Sequence, residues 1–227
     1  MIYTLPQVNI NNVNEFVPFI IYNNSLDYYI NTIPPTTTYL DLSTITKYTP
    51  IHSNFFVMLE LLQTHNIEPS ELITLGSNSC KEAMEWLTSH KSLQLKATPL
   101  IVADIDDFKE EVRFALQHQT VGGSCFLKVT DTNSYSNIQY IYYLCGCYKN
   151  VQLCKPKSIS NTSLEKYIIC SDFKEKINID ENINIPYYFI TKINELNSIY
   201  SQVYFNQFYY NHDTSDQLIQ WSSTFFN

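Results

Sequence analysis

The sequence predicts an α/β fold with a mostly parallel sheet. Three observations predict it. Apolar runs of strand length stand at 71–76, 99–106 and 124–131. Helix-forming stretches follow each of them. Two strand-like runs after residue 150 lie close together and read as an antiparallel pair at one edge.

Each element has a local reason. Residues 1–46 mix polar and apolar types, and Pro34-Pro35 followed by three threonines breaks any helix. YLDLSTI (39–45) reads as a short strand within an irregular N-terminal layer. IHSNFFVMLELLQTH (51–65) reads as an amphipathic helix, and NIEPSE turns the chain. ELITLG (71–76) is a strand ending in glycine. The Ser/Asn-rich start of SNSCKEAMEWLTSHK suits a helix cap. LQLKAT (93–98) reads as a short strand. PLIVADID (99–106) is a buried strand ending in acids. DFKEEVRFALQHQT (107–120) is a helix with Phe108, Val112, Phe114 and Leu116 at its apolar positions. Gly122-Gly123 then introduce the strand SCFLKVTD, with Lys128 in the middle of an apolar run. NSYSNIQYIYYLCGCY reads as a helix, VQLCKPKS and SLEKYIICSDF (163–173) as strands. Residues 174–227 are aromatic with few clear periods.

The chain of 227 residues fits one domain. Within it, 1–46 forms the N-terminal layer, 47–173 the core and 174–227 a C-terminal extension. The net charge is −8, with a single arginine, Arg113. That argues against a generic polyanion binder, so any nucleic-acid contact must be local or supplied by a partner. No apolar run is long enough to span a membrane. FVPFIIY (16–22) is too short and lacks the basic flank of a signal peptide. The six cysteines are scattered and read as reduced thiols. Cys145-Gly146-Cys147 followed by Cys154 is a weak metal signal, and no metal is assigned. The sequons at Asn23 and Asn161 carry no weight without a secretory signal.

In open α/β sheets ligands bind at the carboxyl ends of the strands. Gly76-Ser77-Asn78, then Asp104 and Asp106, then Lys128 fall at or near such ends. Each has an ordinary reading. A strand-end Asp usually caps the next helix, a strand lysine usually sits solvated at an edge, and a Gly-Ser-Asn turn is common. Their joint placement along one rim says more than any one alone.

GGSCFLKVTD, followed by CKPKSISNTSLEKYIICSDFK (154–174), resembles the second half of the FtsJ-type ribose 2'-O-methyltransferases. That family carries a glycine pair, a strand with a central lysine, a helix, Lys-Pro with a Ser-rich turn, and a glutamate before the last strand. Here the glutamate is Glu165. TKYTPIHSNFF (46–56) and ELITLGSNS (71–79) are similar to the nidovirus branch of the family and supply Lys47. The resemblance covers roughly residues 46–174.

The resemblance implies a Rossmann-like methyltransferase sheet, mostly parallel with an antiparallel edge pair and trimmed in its cofactor half. It implies S-adenosyl-L-methionine as cofactor and Lys47, Asp104, Lys128 and Glu165 as the catalytic quartet. Gly76, Ser77, Asn78 and Asp106 would face the cofactor, and Lys155 and Lys157 would touch RNA phosphate. The implied substrate is capped viral mRNA. The implied setting is the replication complex in the host cytoplasm, with a replication partner and no membrane; the aromatic C-terminal residues suit either a cover for the trimmed sheet edge or a homodimer through it. An ordinary lysine, with a pKa of about 10.4, is protonated at neutral pH. Burial and a second lysine would bring Lys128 to roughly 7–8, where it can accept the hydroxyl proton.

The chain departs from the family in two places. The glycine-rich turn is reduced to Leu75-Gly76-Ser77-Asn78-Ser79, which crowds the methionine moiety unless the turn is reshaped. Too few residues separate Gly76 from Asp104 for the two further strands the family normally places there. In one assignment PLIVADID is the catalytic-aspartate strand, and edge strands are lost, with LQLKAT a remnant. In the other it is the ribose-binding strand, Asp104 holds the cofactor, and the catalytic aspartate is missing. Topology favours the first, because trimming an edge leaves no gap in the sheet. A third register starts the sheet at YLDLS. Two other functions stand beside methyl transfer. One is a degenerate methyltransferase fold that binds RNA or protein without cofactor. The other is a different nucleotide-binding enzyme, which would lack both a phosphate loop and any GxGxxG.

Overall fold

A computed structural model describes residues 1–10, 42, 46–90, 96–160, 163–179 and 183–210. The elements in chain order are β1 (Ile2–Thr4), α1 (Phe55–Thr64), β2 (Ile67–Gly76), α2 (Ser79–His90), β3 (Lys96–Asp104) and α3 (Phe108–His118). They continue with β4 (Ser124–Val129), α4 (Tyr135–Cys147), β5 (Tyr148–Cys154), β6 (Lys166–Phe173) and α5 (Tyr187–Tyr210). Among the described residues the sheet has six strands in the order β1-β5-β6-β4-β3-β2. β2, β3 and β4 run parallel. β6 enters antiparallel beside β4, and β5 and β1 follow, each antiparallel to its neighbour. This is a Rossmann-like α/β fold, as the sequence predicts.

The order settles where PLIVADID belongs in the sheet. β3 lies between β2 and β4, and β2 is the edge strand among the described residues. A ribose-binding strand would lie on the far side of β2 instead. The alternative start at YLDLS falls almost wholly outside the described residues, as do Pro34-Pro35 and both sequons.

Side chains alternate across the strands and feed two cores. Val102, Phe126, Tyr167 and Ile169 pack with α1 and α2 on one face. Ala103, Leu127, Ile168 and Cys170 pack with α3, α4 and α5 on the other. The alternation places Asp104 and Lys128 on the α1 face, because they share the parity of Val102 and Phe126.

Several boundaries differ from the sequence reading. NIEPSE is not a turn: Ile67–Ser70 belong to β2, with a register shift between Pro69 and Glu71. An edge strand tolerates that proline because one side of it needs no ladder bond. Lys96–Thr98, the described end of LQLKAT, are not a separate remnant but the start of β3, paired with Ile67–Pro69. The last strand starts at Lys166, not Ser163. Ile2–Thr4 form an edge strand on β5 where an irregular layer is expected. The C-terminal region holds the long helix α5, whose Phe189, Ile190, Ile193, Leu196 and Tyr200 are buried. Those positions keep helical spacing. The surrounding exposed tyrosines hide it, since they are as apolar as the buried ones.

The cysteines are free thiols in buried positions. Cys145 and Cys147 lie on α4 in one core, whereas Cys154 lies in the core on the opposite face. The sheet therefore separates the members of the weak metal signal.

Candidate functional site at the strand ends

The ends of β3 and β4 bring an acid and a base together. Lys128 Nζ lies 2.9 Å from Asp104 Oδ1 and 3.2 Å from Asp106 Oδ1. The Asp104 side chain is 6% exposed and that of Lys128 12%, while that of Asp106 is 97% exposed. Asp104 does not cap the next helix. That task falls to Asp107, whose side chain accepts from the Glu110 N–H.

Asn54 joins this pair to the turn after β2. Its side-chain amide donates to Asp104 Oδ2, and its carbonyl accepts from the Ser77 hydroxyl at 3.4 Å. Asn54 occupies the N-cap of α1 yet makes no capping bond. Asn at that position usually caps, so the side chain forgoes a local role to hold Asp104. In sequence Asn54 reads only as a helix start.

Gly76 pairs with Asp104 in register and has φ +99°. A Cβ there would collide with the Asp104 carbonyl group. The lone glycine of the turn is therefore needed for the close approach of β2 to β3. Ser77 Oγ also accepts from the Ser79 N–H at 3.1 Å. The Asn78 carbonyl accepts from Glu82 N at the start of α2.

Glu165 stands just before β6 and is 6% exposed. Tyr167, which pairs with Lys128 across the strands, donates its hydroxyl to Glu165 Oε1 at 3.2 Å. The Glu165 charge acts on Lys128. Asp104, Lys128 and Glu165 therefore share one neighbourhood at the rim. Lys47 is exposed, with φ 55°, and among the described residues no ion pair joins it to them.

Burial pushes the Lys128 amine down. The Asp104 hydrogen bond and charge, the Asp106 hydrogen bond and the Glu165 charge outweigh it and raise its pKa above the ordinary lysine value. The expectation of a lowered pKa is therefore corrected: carboxylates face this amine where a second lysine was expected. Two other lysines are lowered: Lys155, brought to about 7 by burial and by the neighbouring Lys166 charge, against the pull of Glu165, and Lys166, brought to about 8 by burial. Lys155 is 8% exposed, and its ammonium donates to the carbonyls of Ser163 and Glu165. It points inwards and offers nothing to phosphate. Lys157 is exposed, as phosphate contact requires, while its N–H and that of Ser158 donate to the buried Glu60 carboxylate of α1.

Glu111 is another buried acid that sequence reasoning missed. It is fully buried on α3 and accepts from the N–H groups of Ile105 and Lys128, each at 2.7 Å. In KEEVRF its charge reads as part of a solvated face, although its spacing from Phe108 and Ala115 puts it on the buried side of the helix and separates it from Glu110.

The turn after β2 has features that suit a carboxylate-bearing cofactor. The start of α2 presents backbone N–H groups. The Ser79 hydroxyl beside them is buried and has no hydrogen-bond partner. Asp106, at the exposed rim, can accept from sugar hydroxyls. Of the residues expected at the cofactor, Gly76, Ser77 and Asn78 form this turn and Asp106 stands exposed at the rim.

Fold and rim together define a Rossmann-like α/β protein with a lysine–carboxylate site at its strand ends. No protein-family model matches the chain. A stretch of 77 residues, 34% of the chain, is 29% identical to the AdoMet-dependent rRNA methyltransferase SPB1 of Mycosarcoma maydis. The match covers 8% of that protein.

Proposed function

We propose that this chain transfers a methyl group from S-adenosyl-L-methionine to a ribose 2'-hydroxyl of RNA. The observation that carries the reading is the Asp104–Lys128 pair, with Glu165 beside it, at the carboxyl ends of adjacent strands. The partial likeness to an rRNA methyltransferase supports the same chemistry.

The cofactor supplies an electrophilic methyl group. With the cofactor held at the turn after β2, its methyl carbon would pass to the ribose oxygen as its bond to sulfur breaks, and the hydroxyl proton would be lost to solvent. The chain's part is orientation and charge. Lys128, held as an ammonium by Asp104 and Asp106, donates to the hydroxyl oxygen and offsets the negative charge that grows as the proton leaves. Asn54 fixes Asp104, and Glu165 adds to the charge that keeps Lys128 protonated. The hydroxyl held at this rim is positioned for attack.

The finer reading rests on the Lys47-Tyr48-Thr49 resemblance. It makes the substrate a viral mRNA cap in the host cytoplasm, with Lys157 touching phosphate. The net charge of −8 makes RNA affinity modest and strongly dependent on salt.

A second reading has its own observation: the Ser77 hydroxyl, in the turn that would face the cofactor, is engaged within the chain by Asn54 and Ser79. In that reading the fold binds RNA or protein without cofactor. Calorimetric titration with S-adenosyl-L-methionine separates the two. Saturable heat supports the enzyme. No heat from folded protein at high concentration, with capped RNA present, overturns it in favour of the binding module.

A further inference from the structure

We infer that Glu111 is the positioning residue that holds Lys128 against Asp104, by supplying backbone hydrogen bonds where β3 and β4 part; this rests on the reading of the Lys128 rim above. The β3–β4 ladder runs from Leu100 paired with Ser124 to Ala103 paired with Leu127. The next residues are Asp104 and Lys128, and there the strands separate. Separation frees main-chain N–H groups that no strand now accepts, and a buried free N–H is costly.

Glu111 fills the split. Its Oε1 accepts from Ile105 N and its Oε2 from Lys128 N, both at 2.7 Å. One carboxyl group thus fixes the main chain of Lys128 itself and of the residue after Asp104. The side chains of the reactive pair are carried by the backbone that Glu111 holds. A glutamine sets its NH2 group where one carboxyl oxygen stood, so one of the two N–H groups would face a donor.

The location costs something. Glu111 is fully buried, and burial pushes its carboxyl up to about 9, against the pull of the two N–H donors and of Lys128. The charged groups that act on it are Asp104 from β3, which raises it further, and Lys128 from β4, which lowers it. A brace needed for the fold alone would serve equally well at the other end of these strands. This one stands at the reactive pair.

The test reads the geometry without depending on turnover. Backbone amide shifts of Ile105 and Lys128, and the Lys128 side-chain carbon shift, are followed against pH by NMR. The wild-type protein, Glu111→Gln and Glu111→Asp are compared. In wild type the two amides are expected to move together, with a midpoint far above an ordinary carboxyl. In Glu111→Gln that shared titration disappears, and the Lys128 midpoint falls as Asp104 moves away. Methyl transfer by the variant should show kcat down at least about tenfold with KM for RNA unchanged. Independent movement of the two amides in wild type overturns the inference, and this measurement needs no variant to fold. An unchanged Lys128 midpoint in folded Glu111→Gln also overturns it. If the NMR result is as expected while wild type methylates nothing, the positioning role stands and the methyltransferase reading fails.

Discussion

Lys128 Nζ lies 2.9 Å from Asp104 Oδ1, at the ends of two adjacent parallel strands. The contact is made deep in the rim, with both side chains largely buried. Asp104 also accepts from Asn54, so the acid is held on both sides while it holds the amine.

Replacing Asp104 by Asn removes one charge and keeps the shape. Lys128 then loses the partner that contributes most to raising its pKa. Its titration midpoint should fall, as read by the side-chain carbon shift. Methyl transfer should drop by about a hundredfold, the usual size for removing a group that organises transition-state charge. A midpoint unchanged from wild type would contradict the pairing.

Asn54→Ala tests the bridge between the turn and the acid. The buried Asp104 carboxylate loses a donor, which costs about 1–3 kcal/mol of stability. Because Asn54 makes no capping bond, the helix α1 should keep its content by circular dichroism. Urea denaturation should show the loss.

Gly76→Ala should be among the most damaging single-methyl changes in the chain. Its φ of +99° is unfavourable for alanine, and the new Cβ meets Asp104 backbone that cannot yield. A loss of at least about 2 kcal/mol is expected in chemical denaturation.

Lys155 makes stability depend on pH in a defined direction. Its folded-state pKa is lowered to about 7, whereas an unfolded lysine titrates at about 10.4. Its contribution is complete above the unfolded value and is lost as pH falls through the folded one. The stability of wild type relative to Lys155→Met should therefore rise between about pH 7 and pH 10. A gap that stays flat over that window would show that the amine does not titrate there.

The strand succession was legible in the sequence because central strands buried on both faces leave short apolar runs. PLIVADID and SCFLKV are such runs, and they lie where expected. Lys128 was legible for the same reason, since a lysine inside a buried strand needs a partner. The identity of that partner was half legible. Asp104 was in view, but the charge balance around the amine depends on Asp106 and Glu165, whose approach follows from a bend after β3 and from the start of β6. Asn54, Glu60 and Glu111 were not legible. Asn54 stands at the start of a helix and Glu60 and Glu111 lie within helices, and each meets its partner only after the helix has packed on the sheet. Lys155 was misread for a related reason, because a lysine beside a proline turn looks solvated until the carbonyls of Ser163 and Glu165 close over it.

The central claim is tested most directly by incubating the protein with labelled S-adenosyl-L-methionine and capped RNA, then digesting the RNA to nucleosides for mass spectrometry. The account predicts a labelled 2'-O-methylnucleoside with wild type and none above background with Lys128→Ala at equal folded concentration. A wild-type protein that binds the cofactor yet labels no ribose, or a Lys128→Ala variant that labels it as fast as wild type, would contradict it.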